Sequence, residues 1–289
     1  MLPKLSQIKT PLALLVALLS WSSAYVFIRI GLQGYSPGAL ALFRYLISSL
    51  VMLVFYWRLP KRQKPTIKEA VQLFCIGFFG IGVYVVSLNY GEITVSASIA
   101  SFLIGMSPIV SLLWIRTVMK ESISTKRWFG VGISVLGLAM ILMSKYHQNN
   151  LDWHIVFILI ATVCGGFYNV AQKPLLSKFH PIEVATLCAC SATIAMLAFF
   201  PQLIAELPKA SFHATGAAIY LAIISGCIGY ISWSYAMSSE VPASKLVPFI
   251  YVLPLLSTIL GWLILGEMPT MFALSGGCIA LIGAVIATR

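Results

Sequence analysis

Ten apolar stretches of about twenty residues follow one another along the whole chain, separated by short polar segments that hold most of the charged residues. Each stretch is long enough to cross about 30 Å of hydrocarbon as a helix. The connections are too short to form a soluble domain. The pattern therefore predicts an all-α polytopic membrane protein with ten transmembrane helices. The predicted spans are 12–32, 38–57, 70–88, 94–115, 128–144, 153–174, 183–202, 214–236, 242–264 and 270–287.

Composition agrees with this class. Hydrophobic residues make up 60% of the 289 residues and charged residues only 9%, whereas a soluble domain carries about a quarter charged residues. All six cysteines lie inside apolar spans without CxxC spacing, which favours small buried side chains over disulfides or zinc. The four histidines lie in or beside loops without ligand spacing, so we predict no metal and no cofactor.

The net charge of +11 is explained by orientation in a membrane. With a cytoplasmic N-terminus, thirteen basic residues fall on inner segments and two, Lys145 and Lys209, on outer loops. This positive-inside bias predicts that both termini are cytoplasmic, in a bacterial inner (plasma) membrane. The clusters lie next to span ends, so nucleic-acid binding is not expected. The inner residues are Lys4, Lys9, Arg58, Lys61, Arg62, Lys64, Lys68, Arg116, Lys120, Lys126, Arg127, Lys178 and Arg289.

The chain repeats itself. "SPIVSLLWIRTVMKE" at 107–121 returns as "LPLLSTILGWLILGE" at 253–267, pairing Pro108 with Pro254 at a shift of 146. Earlier, Pro37 matches Pro181 and Met52 matches Met196 at a shift of 144. The first span has a signal-peptide appearance, but its counterpart in the sixth span predicts that it is retained. We predict two five-helix units, 1–146 and 147–289.

Five spans per unit is an odd number, so the second unit must cross the membrane in the opposite sense. Inverted repeats of this kind are found in many secondary transporters, with the substrate held between the halves near the midplane. Duplication alone also suits a channel or a scaffold, but neither a carbonyl-lined loop nor a ring of charges indicates a filter. We predict transport by alternating access.

The sequence resembles the EamA-type branch of the drug/metabolite transporter (DMT) superfamily over nearly its whole length. The motifs that carry the resemblance are "WSSAYVFIRIG" at 21–31, "SPGALALFRYLISSL" at 36–50, "NYGEITVSASIASFLIGMSPIVSLL" at 89–113, "FGVGISVLGLAMI" at 129–141 and "YAMSSEVPASKLVPFIYVLPLLSTILGWLILGE" at 235–267. The second half departs at its start, where "VCGGFYNVAQKPL" lacks the tryptophan of the first. The resemblance implies two tandem five-helix units and transport of small metabolites, often amino-acid export.

Aromatic and small polar residues near mid-depth are the candidate substrate site. Rings with a polar atom suit an amphipathic metabolite, although each of them also suits helix packing. Asn169 is the sharpest candidate, because an amide at this depth needs a hydrogen-bonding partner. The candidates are Trp21, Tyr25, Tyr84, Ser98, Phe102, Tyr168, Asn169, Tyr230, Trp233 and Phe249.

Prolines and one arginine interrupt the apolar spans. Pro108 and Pro254 each remove a backbone hydrogen bond, which fits a hinge or an equally plain packing kink. Arg44 lies about six residues into the second span. Two interpretations stay open for it: a side chain that snorkels to the interface, or an anchor for an anionic group at the outer mouth.

The leading functional hypothesis is a secondary transporter that exports amino acids or related amphipathic compounds. The alternatives are uptake of a nucleoside, vitamin or other metabolite on the same fold, and a non-transporting membrane scaffold or enzyme. The four histidines and eight acidic residues are scattered along the chain and do not cluster, which argues against an enzyme. The expected partners are a small-molecule substrate and the lipid bilayer, with the oligomeric state open. All eight acids lie in loops or at span ends, so we expect facilitated diffusion or exchange, with any proton dependence at Glu92, Glu121, Glu267 or the substrate.

Overall fold

The computed structural model describes residues 5–95, 97–143, 153–265 and 270–288, and within these ranges the regular structure is helical, with no strand. The helix α4 consists of two half-helices, Ala97–Ile104 and Ser107–Thr117. The others are α1 Leu5–Gly31, α2 Pro37–Trp57, α3 Ile67–Gly91, α5 Thr125–Met143, α6 Ile155–Ala171, α7 Pro181–Glu206, α8 Phe212–Met237, α9 Ala243–Ile264 and α10 Met271–Thr288.

Eight helices in the described ranges, α1–α4 and α6–α9, are long and apolar enough to cross a membrane. Within α10, Leu274–Ala287 forms a shorter apolar helix. The all-helical membrane class is thus confirmed. The predicted spans 128–144 and 270–287 fall on α5 and α10, and their crossing of the membrane stays a prediction.

Local sequence signals explain where several helices begin. Pro37 and Pro181 lie in the first turns of α2 and α7, where the missing amide hydrogen costs no helical hydrogen bond. Glu183 completes a capping box at α7 by accepting the backbone N–H of His180 at 2.8 Å. Thr66 and Glu69 form another at α3. The matching prolines of the sequence repeat therefore mark matching helix starts.

Two helices contain π-helical stretches, Phe78–Val83 in α3 and Leu221–Gly229 in α8. The α-helical geometry resumes at Tyr84 in the first case and at Tyr230 in the second. A π-helical turn holds an additional residue and is frequently found at functional sites. Both candidate tyrosines therefore follow directly after a local change of helix geometry.

The helices α4 and α9 are interrupted close to the two repeated prolines. In α4, Gly105 and Met106 form a turn, and Pro108 lies in the first turn of the second half-helix. In α9, the 3-10 stretch Val247–Val252 precedes Pro254. The breaks approach each other, because a Cβ atom on Gly105 would lie 2.8 Å from Pro254 Cγ. The predicted interruptions thus coincide with irregular helix geometry; a hinge motion stays a prediction.

Helices α2 and α7 pack side by side in opposite directions. Gly38 at the start of α2 lies against Phe199, while Met52 near its end accepts a hydrogen bond from Thr186 at 3.4 Å. Between these points, Ser49 Oγ and Thr193 Oγ1 are 2.8 Å apart. Small hydroxyl side chains thus join the two helices in the interior of the bundle.

Helices α5 and α10 also pack antiparallel, with their backbones in close approach. A Cβ atom on Gly130 would lie 2.7 Å from Gly283 O, and one on Gly137 would lie 2.5 Å from Gly276 O. Ser134 Oγ donates to Ala280 O at 3.0 Å between these points. Glycine at the contact permits this spacing, as is usual for membrane helices that lack a hydrophobic driving force for association.

Candidate substrate site

Aromatic side chains from α1, α2, α6 and α8 meet in the interior of the bundle. Tyr230 is at their centre, with its ring centroid 5.3 Å from that of Trp21, 5.0 Å from that of Tyr168 and 6.1 Å from that of Tyr45. Trp21 also contacts Trp233 at a centroid distance of 5.4 Å. We call these five residues the aromatic cluster. Their edge-to-face and tilted arrangements are the favourable geometries for aromatic rings.

Polar groups of α4, α6 and α8 satisfy one another around this cluster. Trp233 Nε1 donates to the backbone oxygen of Asn169 at 3.3 Å, and the Asn169 amide approaches Ser107 Oγ at 3.5 Å. Ser234 Oγ donates to Gln172 Oε1 at 2.6 Å. The Asn169 amide thus has a hydrogen-bond partner on a neighbouring helix, as a polar side chain inside an apolar bundle requires. This partner, Ser107, belongs to the broken helix α4.

A small cavity of about 30 Å³ lies beside the aromatic cluster, and we call it the aromatic cavity. It has room for about two water molecules and is too small for an amino acid, so this conformation is closed around the site. Five candidate residues line it: Trp21, Tyr84, Tyr168, Asn169 and Tyr230.

Of the other five candidates, the four whose side chains the structure describes are not among the residues that line the aromatic cavity. Trp233 is fully buried within the aromatic cluster, and Tyr25 is buried and interacts with Tyr84. Phe102 is buried in the core. Phe249 is 37% exposed and does not line the cavity. The side chain of Ser98 lies outside the described residues, although its backbone belongs to α4.

Several lining residues of the aromatic cavity were not among the candidates, notably Ser107, Ile250, Gly80 and Gly165. A Cβ atom on Gly80 would lie 2.8 Å from Tyr168 Cβ, and one on Gly165 would lie 3.2 Å from the Tyr84 ring. These glycines admit the two tyrosines. The sequence shows glycines at close helical spacing, which indicate close packing, but it does not indicate which side chain packs against each glycine.

Arg44 is buried, with an exposed fraction of only 2%, so its head group does not snorkel to the interface in this structure. Its Nη2 atom donates to Ser225 Oγ at 2.7 Å, and the guanidinium carbon lies 5.4 Å from the centroid of the Tyr45 ring. Among the described residues, Nε and Nη1 have no hydrogen-bond partner. Arg44 therefore brings a positive charge with two free donors next to the aromatic cluster; its role as an anion anchor stays a prediction.

A second and much larger cavity of about 940 Å³ lies at the end of α1, and we call it the vestibule. Its walls come from the α1–α2 turn, the segment after α3 and the α7–α8 connection. Its charged lining consists of Arg29, Glu92, Glu206 and Lys209. Glu206 accepts hydrogen bonds from the backbone N–H and the hydroxyl of Ser36, at 2.8 and 3.2 Å. The volume is in the range of small-molecule sites.

The described residues contain no group of three or more His, Cys, Asp or Glu side chains that could hold a metal ion. The chemistry of both cavities is that of recognition, with stacking surfaces, hydrogen-bond donors and charges. A bundle of apolar helices with broken spans, a small aromatic cavity and a larger vestibule is typical of the membrane transporter class.

The chain belongs to the EamA-like transporter family, whose model matches residues 8–143 and 152–289. The chain is 37% identical to the uncharacterized transporter YdfC of Bacillus subtilis over 91% of this chain and 85% of that one. It is 30% identical to a "probable terminal-alkyne amino-acid exporter" of Streptantibioticus cattleyicolor over 96% and 92% of the two chains. The inner membrane transporter YedA of Escherichia coli strain K12, also uncharacterized, is 25% identical over 88% of this chain and 82% of its own.

A protein of known crystal structure has the same fold, with a TM-score of 0.77 and 17% identity over 96% of both chains. The family and the fold agree with the resemblance found in the sequence. Together with the apolar helices, they identify the protein as a multi-pass membrane transporter.

Proposed function

We propose that this protein exports amino acids or related amphipathic compounds by alternating access around the aromatic cavity. The observation that carries the proposal is the convergence of candidate residues from α1, α3, α6 and α8 on that cavity. Aromatic faces with hydrogen-bonding groups suit an amphipathic metabolite. The name of the relative from Streptantibioticus cattleyicolor supports the amino-acid class.

The proposed architecture is two inverted five-helix repeats, 1–146 and 147–289. The family match to 8–143 and 152–289 supports the division. Ser49 and Thr193 are related by the shift of 144, and they form a hydrogen bond with each other across antiparallel helices. An element that packs against its own counterpart in this way is the mark of a two-fold relation.

The contact between α5 and α10 supports the same symmetry. The shift of 146 converts Gly130 into Gly276 and Gly137 into Gly283. The pair Gly130–Gly283 and the pair Gly137–Gly276 are therefore each other's counterparts, and both are in close approach. Such reciprocal contacts define an isologous interface. If α5 and α10 both cross the membrane, the two-fold axis that relates these antiparallel helices lies in the membrane plane, as the proposed inverted repeat requires.

The proposed orientation of the chain in the membrane is based on the distribution of its basic residues. With both termini in the cytoplasm of a bacterial cell, the α7–α8 connection with Lys209 is external. The vestibule, which Lys209 lines, then opens to the outside. The structure would thus represent a state with its outer vestibule accessible and its aromatic cavity closed.

Cysteine labelling tests this orientation. In a variant without the six native cysteines, Lys209→Cys and His147→Cys should react with an impermeant maleimide from outside intact cells. Arg62→Cys and Ser122→Cys should react only after the membrane is opened, because the inner segments carry the basic residues. Labelling of residue 62 from outside, or of residue 209 only from inside, would contradict the inverted arrangement.

Counterflow in proteoliposomes tests the function. Liposomes loaded with one unlabelled amino acid should take up the same labelled amino acid faster than protein-free liposomes, for at least one member of a twenty-amino-acid panel. Nucleosides and vitamins form the comparison panel. Exchange confined to nucleosides or vitamins would refute amino-acid export and support the uptake alternative. Direction is then measured in inside-out and right-side-out vesicles.

A further inference from the structure

Glu92 directly follows the last residue of α3, and its side chain is only 1% exposed although it borders the vestibule. Its backbone N–H donates to Leu88 O at 2.9 Å and so completes the helix end. No donor among the described residues reaches either oxygen of its carboxyl group. Buried polar groups are normally hydrogen-bonded, so this exception requires an explanation.

An ionised Glu92 is unfavourable in this conformation for two reasons. Burial removes the carboxylate from water without supplying donors. The C-terminal end of α3 adds the negative end of a helix dipole. Burial raises the pKa of Glu92 well above its usual range, although Arg29 and Arg44 act to lower it. A proton or another cation is therefore needed at this carboxyl group.

Charged and titratable groups face Glu92 from three helices. Arg29 has a partner, since its Nη1 atom lies 3.4 Å from Val95 O, whereas Arg44 keeps Nε and Nη1 unpartnered within the described part of the chain. Arg44, next to Tyr45 of the aromatic cluster, and Glu92, at the edge of the vestibule, thus both have open hydrogen-bonding capacity. The groups that interact electrostatically with Glu92 are Tyr25 and Arg29 from α1, Arg44 from α2 and Tyr84 from α3. Glu206 and Lys209 line the vestibule together with Glu92.

We propose that Arg44 and Glu92 form a site for the zwitterionic head group of an α-amino acid, with a proton on Glu92 when the site is empty. Arg44 binds the carboxylate through its free donors, in the charge-assisted geometry that guanidinium and carboxylate groups favour. Glu92 binds the ammonium group, which supplies the donors that the carboxyl oxygens lack. Tyr84, which interacts with both and lines the aromatic cavity, leads from this head-group site to the aromatic surface for the side chain.

Substrate and proton exclude each other at Glu92 in this scheme. When the ammonium group arrives, the carboxylic acid releases its proton to water and accepts N–H donors as a carboxylate. When the substrate leaves into the vestibule, a proton returns from outside. The inference rests on the proposed export function for the direction of exchange. It narrows the sequence-based expectation, which placed any proton dependence at Glu92, Glu121, Glu267 or the substrate, to Glu92.

Proton occupancy can be measured without any substrate. Infrared difference spectra between pH 5 and pH 9 should show a protonated carboxyl group that persists at neutral pH in the wild type and is absent in Glu92→Gln. Glu240→Gln, which changes an exposed acid, is the matched control and should keep the signal. A neutral-pH signal that survives in Glu92→Gln would overturn the assignment of the proton.

Head-group recognition requires a crossed comparison. The amino acid that exchanges best is compared with its decarboxylated amine and its deaminated acid, in direct binding to detergent-solubilised protein. Glu92→Gln should lower the binding affinity for the amino acid and for the amine at least tenfold and should change the affinity for the deaminated acid little. Arg44→Gln should lower the affinity for the amino acid and for the deaminated acid and should change that for the amine little. Arg58→Gln, at an exposed arginine, is the control. Size-exclusion profiles establish that each variant is folded.

The outcomes separate the inference from the proposed function. If both variants bind and exchange amino acids like the wild type, or lose both analogues equally, the head-group site is wrong and amino-acid export stands. If the wild type exchanges no amino acid, the proposed function fails, and the head-group site fails with it. A proton signal assigned to Glu92 would then remain as a separate result.

Discussion

Gly137→Ala is expected to lower the thermal unfolding midpoint of the purified protein by roughly 10 °C. The new Cβ atom would lie 2.4 Å from Ala280 N and 2.5 Å from Gly276 O, and both of these are backbone atoms of α10. No rotamer change relieves such a contact, so α5 and α10 have to separate. Overpacking of this kind costs about 3 kcal/mol. The measurement is a thermal melt in detergent, followed by size-exclusion chromatography.

Gly132→Ala on the same helix is the matched control for this substitution. A Cβ atom there meets no other atom within 4 Å. Alanine is also the better helix former, so the midpoint should stay constant or rise slightly. Equal melting of the two variants would show that α5 and α10 are not in close approach.

Trp21→Ala should weaken the affinity for the transported amino acid by about 100-fold, as truncation of a tryptophan at the centre of a binding site does. The indole lines the aromatic cavity and packs against both Tyr230 and Trp233. Its Nε1 atom is buried and has no hydrogen-bond partner among the described residues. The measurement is the concentration dependence of counterflow in proteoliposomes.

Trp262→Ala serves as the control, because that tryptophan is on α9, 44% exposed, and does not line the aromatic cavity. Its affinity should match the wild type. Since loss of packing around Tyr230 also lowers stability, the melting temperature of Trp21→Ala has to be measured in parallel. A stable Trp21→Ala protein with wild-type affinity would move the substrate site away from the aromatic cavity.

The class of protein and the family were predictable from the sequence, because apolar runs of membrane length and ordered motifs are strong signals. The aromatic cavity was predictable in part. Apolar helices have no polar face to show which side points inward, so residue type alone grouped Phe249 with Tyr230. The structure exposes the first and buries the second. The sequence predicts where along a span each residue lies, but it does not predict which way the side chain points around the helix axis.

The charged residues show a second limit of sequence reasoning. Position along the chain placed Arg44 about six residues into the second span, where it could either snorkel to the interface or bind an anionic group, and it placed Glu92 in a loop or at a span end. The structure buries both, since neighbouring helices cover the segment after α3 and the start of α2. Burial of a charge depends on tertiary packing, and a single sequence contains no direct measure of that.

The π-helical stretches 78–83 and 221–229 also bear on the ancestry of this chain. Each inserts a residue into an α-helix, and one residue corresponds to about 100° of rotation. Removing a residue from 78–83 would therefore swing Tyr84 away from the aromatic cavity. At the shift of 146, which matches Tyr84 with Tyr230, the first stretch falls on 224–229, within the second. If the proposed repeats descend from one half-length ancestor, a single insertion there accounts for both stretches. Tyr84 and Tyr230 would then have acquired their inward direction in one event, before the two halves diverged.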